Sequence, residues 1–333
     1  MSTPSKKWLL PASFLGVFII GGVVGYLIKQ PKLITSQSIR DQAADYTFIH
    51  PLLAVSRSEV APSSQYEKLS HDVDNYIGKM KLSDKIDTAS VYFINYKTGG
   101  SFLINTKEQY MPASLMKVVI MIAYLKLSET KPDTLSHRLR YTEELDTWLS
   151  EAERNTKSEL AVGKSYTVEY LIDKMIGDSD NGATNLLITN INESYLQSVY
   201  KALGIKNPND DPNYTISTND YSLFFRILFN ATYLSPENSE KALTVLSKAT
   251  YTDGLVAGLP TNTLIAHKFG QHFIDEGGTI AGVELHDCGI IYTNPGPYLL
   301  CVMTKGKTVT GNSEAIAGIS KIVAAESIEH IQE

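Results

Sequence analysis

The sequence predicts an α+β domain: one antiparallel five-stranded sheet flanked by helices, with an inserted all-helical region. Three observations predict it. Strand-like runs cluster at both ends of the folded part, apolar runs of helical period fill its middle, and an amphipathic helix closes the chain.

Taken in order, Leu69, Val73, Tyr76, Ile77 and Met80 recur at helical spacing just after Tyr66. Ala89–Tyr96 and Ser101–Asn105 flank Lys97-Thr98-Gly99-Gly100, a hairpin pattern. Met116 to Leu125 is an apolar helix core, and Val168 to Ile176 a second. Leu187, Leu196, Val199 and Tyr200 mark further short helices. Leu264–Phe269, Cys288–Thr293 and Tyr298–Met303 read as three strands, the last two joined by the turn Asn294-Pro295-Gly296-Pro297. Ala315 to Ile331 is the closing helix, with Ile316, Ile319, Ile322, Val323 and Ile328 apolar.

The 333 residues allow one large domain with an appendage. A net charge of −6 offers no basic groove for nucleic acid. The two cysteines, Cys288 and Cys301, are too few for a disulfide scaffold and lack zinc-type spacing. Each is expected as a small buried apolar residue.

The N-terminus differs in kind. Trp8 to Ile28 is a run of 21 residues without a charge, and a helix of that length rises about 30 Å, enough to cross a bilayer core. Lys6 and Lys7 precede it while Lys29 and Lys32 follow, so the positive-inside balance decides little. A cleaved signal peptide is the rival reading, but Tyr26-Leu27-Ile28-Lys29-Gln30-Pro31 lacks a small-residue cleavage pattern. The expected organisation is a tail at 1–7, a transmembrane anchor at 8–28, a linker at 29–65 and the folded domain at 66–333. Within the linker, Tyr46 to Val55 is too apolar to float in water and is expected to lie extended against the domain.

Three short motifs carry chemistry. Met111-Pro112-Ala113-Ser114-Leu115-Met116-Lys117 leads into the first apolar helix. A serine and a lysine three apart on a helix share a face. The hydroxyl needs a base, and a lysine serves if burial or a nearby cation lowers its pKa. Alone the pattern is weak, since chance supplies roughly one per chain of this length, and a helix cap with a solvated lysine explains it equally. Ser179-Asp180-Asn181 follows the second helix. It reads as a capping turn, or as a proton relay (Ser179) beside a substrate amide contact (Asn181). His267-Lys268-Phe269-Gly270 ends a strand, where Lys268 is placed to meet a carboxylate and Gly270 to let a backbone approach.

S-x-x-K, S-D-N and K-T-G in this order are the motif set of class A β-lactamases and penicillin-binding proteins, the third met here as Lys268-Phe269-Gly270. Residues 66–333 resemble that serine hydrolase superfamily over essentially the whole part beyond the linker. The resemblance implies Ser114 as nucleophile towards a β-lactam or a D-Ala-D-Ala-type peptidoglycan stem peptide, with Lys117 as base and Ser179 as relay. It further implies Asn181 on the substrate amide, Lys268 on its carboxylate, and the N–H groups of Ser114 and Gln271 as oxyanion hole. No cofactor and no metal are implied, and the membrane is the one macroscopic partner.

Two positions depart from the pattern. Phe269 stands where relatives carry Thr or Ser, whose hydroxyl assists carboxylate binding. Between Gly204 and Ser217 there is no E-x-x-L-N and no glutamate to activate a deacylating water. Asp210 and Asp211 lie there, but adjacent acids in an Asn/Pro-rich turn are ordinarily solvated.

The seven histidines show no paired spacing, and His286-Asp287-Cys288 cannot converge on a metal because strand residues alternate faces. Three readings therefore stand: a serine enzyme with slow deacylation, a non-hydrolytic cell-wall or β-lactam sensor, and a structural domain that holds three motifs by accident.

Overall fold

The computed structural model describes residues 46–50, 62–147, 160–211 and 213–329. The expected anchor at Trp8–Ile28 and most of the linker lie outside the described residues. Among the described residues, no helix is long and apolar enough to cross a membrane. Tyr46–Glu333 forms one compact unit.

The unit is built on β1 (Thr88–Asn95), β2 (Ser101–Ile104), β5 (Leu264–Glu276), β6 (Thr279–Tyr292) and β7 (Tyr298–Gly306). They form one antiparallel sheet in the order β2-β1-β7-β6-β5. Alternation along the strands divides the core. Ala89, Val91 and Phe93 face one side, with α1 (Glu67–Leu82) and α9 (Val309–Glu329). Tyr92, Cys288 and Cys301 face the other, with the helical region.

That region holds α2 (Lys117–Ser128), a short α3 (Glu143–Thr147), α4 (Val168–Gly177), α5 (Asn181–Asn190), α6 (Glu193–Leu203), α7 (Thr218–Phe229) and α8 (Pro236–Leu246). A small ribbon pairs β3 (Arg138–Arg140) with β4 (Ser165–Thr167). Lys117 to Leu125 are all buried in α2, as expected of a helix apolar on every side. Helix starts are fixed locally. The side chains of Thr167, Asp180, Asn192, Ser217 and Ser235 each accept a backbone N–H from the first turn of their helix.

The fold corrects three expectations. First, β6 begins at Thr279, not near Cys288, so β5 and β6 make a long hairpin turned by Gly277 and Gly278, both at positive φ. Glu284, His286 and Asp287 are buried there and hydrogen-bonded. Buried polar residues of this kind hide a strand from a hydropathy reading. Second, α9 starts at Val309, six residues before Ala315. Third, Cys288 and Cys301 are buried but not free: they face each other across β6 and β7 and form a disulfide. The bond depends on register, which spacing does not reveal.

Part of the apolar stretch in the 29–65 linker packs on the domain. Phe48 and Ile49 are buried, and the N–H groups of Thr47, Phe48 and Ile49 all donate to the Glu240 carboxylate of α8. Tyr292 donates to the Phe48 carbonyl at 3.0 Å. The apolar stretch thus docks as expected over 46–50, while 51–55 lies outside the described residues.

Candidate active site

Ser114 lies in a 3₁₀ turn, Ala113–Met116, that runs into α2 at Lys117. The turn is held from several directions. Just before it, the Met111 N–H donates to Glu284 Oε2 and the Met111 carbonyl lies 3.0 Å from His286 Nε2. Just after it, the Tyr221 hydroxyl of α7 donates to the Leu115 carbonyl at 3.0 Å. Beneath it, Gly270 of β5 comes so near that a Cβ there would stand 2.7 Å from the Pro112 carbonyl oxygen. Ala113, directly before Ser114, has φ 49°. Ser114 itself is half-buried and Leu115 is fully buried.

Lys117 is 4% exposed. Its Nζ donates to the Ser179 carbonyl at 2.6 Å, to Asn181 Oδ1 at 2.6 Å and to Ser179 Oγ at 3.2 Å. Lys268, 1% exposed, donates to Ser179 Oγ at 3.0 Å and to the Phe269 carbonyl at 3.0 Å. The Ser179 oxygen therefore accepts from both lysines. A hydroxyl has two acceptor lone pairs and one O–H, so this one is left to donate. Ser179 has φ 56°, and Asp180 beside it caps α5 by accepting the Ala183 N–H.

Burial, then the nearby Lys117, hold the Lys268 pKa well below the ordinary lysine value, against the opposing pull of Asp287. The anionic partner is Asp287 itself, buried, with one oxygen 2.9 Å from His267 Nδ1 and the other accepting the Leu255 N–H.

Four of the predicted residues, Lys117, Ser179, Asn181 and Lys268, are thus joined by hydrogen bonds, and Ser114 precedes Lys117 by one turn. Gly270 lies against the Ser114 turn, and its openness accommodates that turn. Gln271 follows it on the edge strand β5. Asp210 and Asp211 are exposed and bond within their own turn, to Asn207 and Asn213. Sequence reasoning missed Glu284, His286, Asp287 and Tyr221, which touch the motifs from distant parts of the chain. The triplet weighed as a metal cluster disperses instead: His286 meets Met111, Asp287 meets His267, and Cys288 meets Cys301. Among the described residues, no group of three His, Cys, Asp or Glu is placed to hold a metal ion.

Residues 68–327 match the model of the β-lactamase enzyme family. The chain belongs to that family. It is a serine hydrolase of the β-lactamase enzyme family, and solved structures agree on the fold. A PBP-A variant, recorded as an acyl-enzyme complex with penicillin-G, is 23% identical over 82% of this chain and 99% of its own, with a TM-score of 0.66. A class A β-lactamase variant of the last common ancestor of Gram-negative bacteria is 22% identical over 79% and 99%, with a TM-score of 0.63. A β-lactamase from Xanthomonas campestris is 20% identical over 77% and 98%, with a TM-score of 0.64. No curated protein matches the chain.

Proposed function

We propose that this family member is a membrane-anchored enzyme acylated on Ser114 by β-lactams or peptidoglycan stem peptides, with slow deacylation. The observation that carries the reading is the Ser179 hydroxyl shared by Lys268 and by Lys117, the lysine one turn after Ser114. In its neutral form, with two N–H bonds and a lone pair, Lys117 takes the Ser114 proton as Oγ attacks the carbonyl carbon. The backbone N–H groups of Ser114 and Gln271 receive the oxyanion. The proton passes through Ser179 to the departing nitrogen, and the carbon–nitrogen bond breaks. Asn181 meets the substrate amide, and Lys268 orients Ser179.

Deacylation needs an activated water. Neither Asp210 nor Asp211 is bonded towards the site, and the Gly204–Ser217 segment holds no glutamate. That same observation favours a second reading, a sensor that acylates once and stalls. Cell-wall substrates lie outside the cytoplasm, the side on which an anchor at 8–28 would hold the domain, and the Cys288–Cys301 disulfide suits an oxidising compartment.

The test is intact-mass analysis of the purified chain during incubation with a fluorescent penicillin. An adduct on Ser114 that persists for many minutes with weak hydrolysis is expected, and none in Ser114→Ala. Rapid turnover without an accumulating adduct overturns slow deacylation, and labelling at another residue overturns the nucleophile. For the sensor reading, release of a stem-peptide product beyond one equivalent per chain rules it out.

A further inference from the structure

The residue beside Lys268 does more than lack a hydroxyl. The Lys268 Nζ lies 4.3 Å from the centroid of the Phe269 ring. That ring is itself stacked on Tyr251, with centroids 4.0 Å apart and planes 16° apart. An ammonium has three N–H bonds. Ser179 Oγ and the Phe269 carbonyl take two of the directions around Nζ, the phenyl ring lies against it, and the side chain is 1% exposed. Tyr251 is half-buried and braces the ring from the loop before β5. A carboxylate brought to Lys268 would have to displace a braced aromatic ring. It would also be stripped of water beside an apolar face.

We infer that Phe269, backed by Tyr251, obstructs the carboxylate subsite, so that this enzyme prefers acyl donors with no free carboxylate next to the scissile bond over those that carry one. The preferred donors are peptides whose chain continues past that bond or ends in an amide, and β-lactams whose acid is esterified. The inference rests on the proposed role of Ser114 as nucleophile. The chemistry is otherwise unchanged: Ser114 Oγ bonds to the acyl carbon, the carbon–nitrogen bond breaks, and the nitrogen leaves with the proton relayed by Ser179. Ring opening of a β-lactam balances in the same way, the nitrogen staying attached to the adduct.

The experiment compares labelling of the full chain by benzylpenicillin and by its methyl ester, followed by intact mass. An alkyl fluorophosphonate, which carries no carboxylate and only needs an activated serine, serves as the independent probe of Ser114. The ester is expected to label Ser114 at least as fast as the acid. In Phe269→Thr the ratio should shift at least tenfold towards the acid, while Phe269→Leu, which cannot stack on Tyr251 but adds no hydroxyl, should shift it less. Tyr251→Ala, which removes the brace, should shift it in the same direction as threonine and remains informative if Phe269→Thr does not fold.

A native chain labelled tenfold faster by the acid overturns the inference. So does a ratio unmoved in both Phe269→Thr and Tyr251→Ala, and so does fluorophosphonate labelling of Ser114 with no labelling by the ester. Failure of the fluorophosphonate to label Ser114 strikes instead at the nucleophile, and is thereby distinguishable.

Discussion

Gly270 and Leu115 stand so close that a Cβ on the glycine would lie 2.9 Å from Leu115 Cγ and 3.1 Å from the Leu115 backbone nitrogen. The edge strand therefore sets the height of the nucleophile turn. Gly270→Ala cannot be absorbed by a flexible side chain alone, because the Pro112 carbonyl is also in the way. It should slow labelling of Ser114 by the fluorophosphonate at least tenfold while the domain still unfolds cooperatively. A variant with native labelling would mean that β5 does not position the turn.

Lys117 offers the cleanest test of the base. Lys117→Ala should slow acylation by at least about a hundredfold, the usual scale for losing a general base. Lys117→Arg should be nearly as poor, because a guanidinium stays protonated and donates in a different geometry. If the arginine variant retains native labelling rates, another group accepts the Ser114 proton.

Acid should weaken the fold through His286. Burial, the largest cause, pushes its pKa down from 6.5 to about 4, against hydrogen bonds that favour the charged form. The unfolded chain therefore binds this proton more readily than the folded one. The contribution of His286 is full above pH 6.5 and is lost as pH falls towards 4, a change of about 3 kcal/mol over that window. Denaturant unfolding at pH 7 and pH 4.5 should show the loss, and His286→Gln should flatten it. Equal pH slopes in both proteins would remove His286 as its source.

Topology is open to a reporter experiment. Alkaline phosphatase fused after residue 333 should be active, since the proposed orientation puts that end outside the cytoplasm. An inactive fusion there, with activity recovered only when the reporter is moved upstream of Trp8, would reverse the orientation.

The parts of the fold that depend on neighbours in sequence were legible. The β1–β2 hairpin, α2 and α4 follow from periodicity, and the capping turn Ser179-Asp180-Asn181 before α5 from local hydrogen bonding. The three candidate site motifs were legible for the same reason, each being a short contiguous run. The N-terminal half of β6 was not, because Glu284, His286 and Asp287 break the hydrophobic pattern. Their partners, Met111 and His267, become visible only once the chain is folded. The Cys288–Cys301 bond was hidden likewise, since it requires the β6–β7 register. The apolarity of Phe48 and Ile49 announced that they dock, but Glu240, which fastens them, lies about 190 residues along the chain.

The two left-handed residues at the site, Ala113 before the nucleophile and Ser179 between the lysines, have a consequence for how this protein can be improved. A side chain in that backbone region costs on the order of 1 kcal/mol. Glycine at either position would relieve the strain and also widen the range of conformations there. At Ala113 it would loosen the very turn that aims Ser114. At Ser179 it would also remove the oxygen that accepts from two buried lysines, which costs more than the strain it relieves. Selection for thermal resistance alone should therefore favour glycine at Ala113 and not at Ser179, a local trade between endurance and activity at the first position. A stabilising library screened only for melting temperature would be drawn to Ala113, whereas one screened also for Ser114 labelling would not.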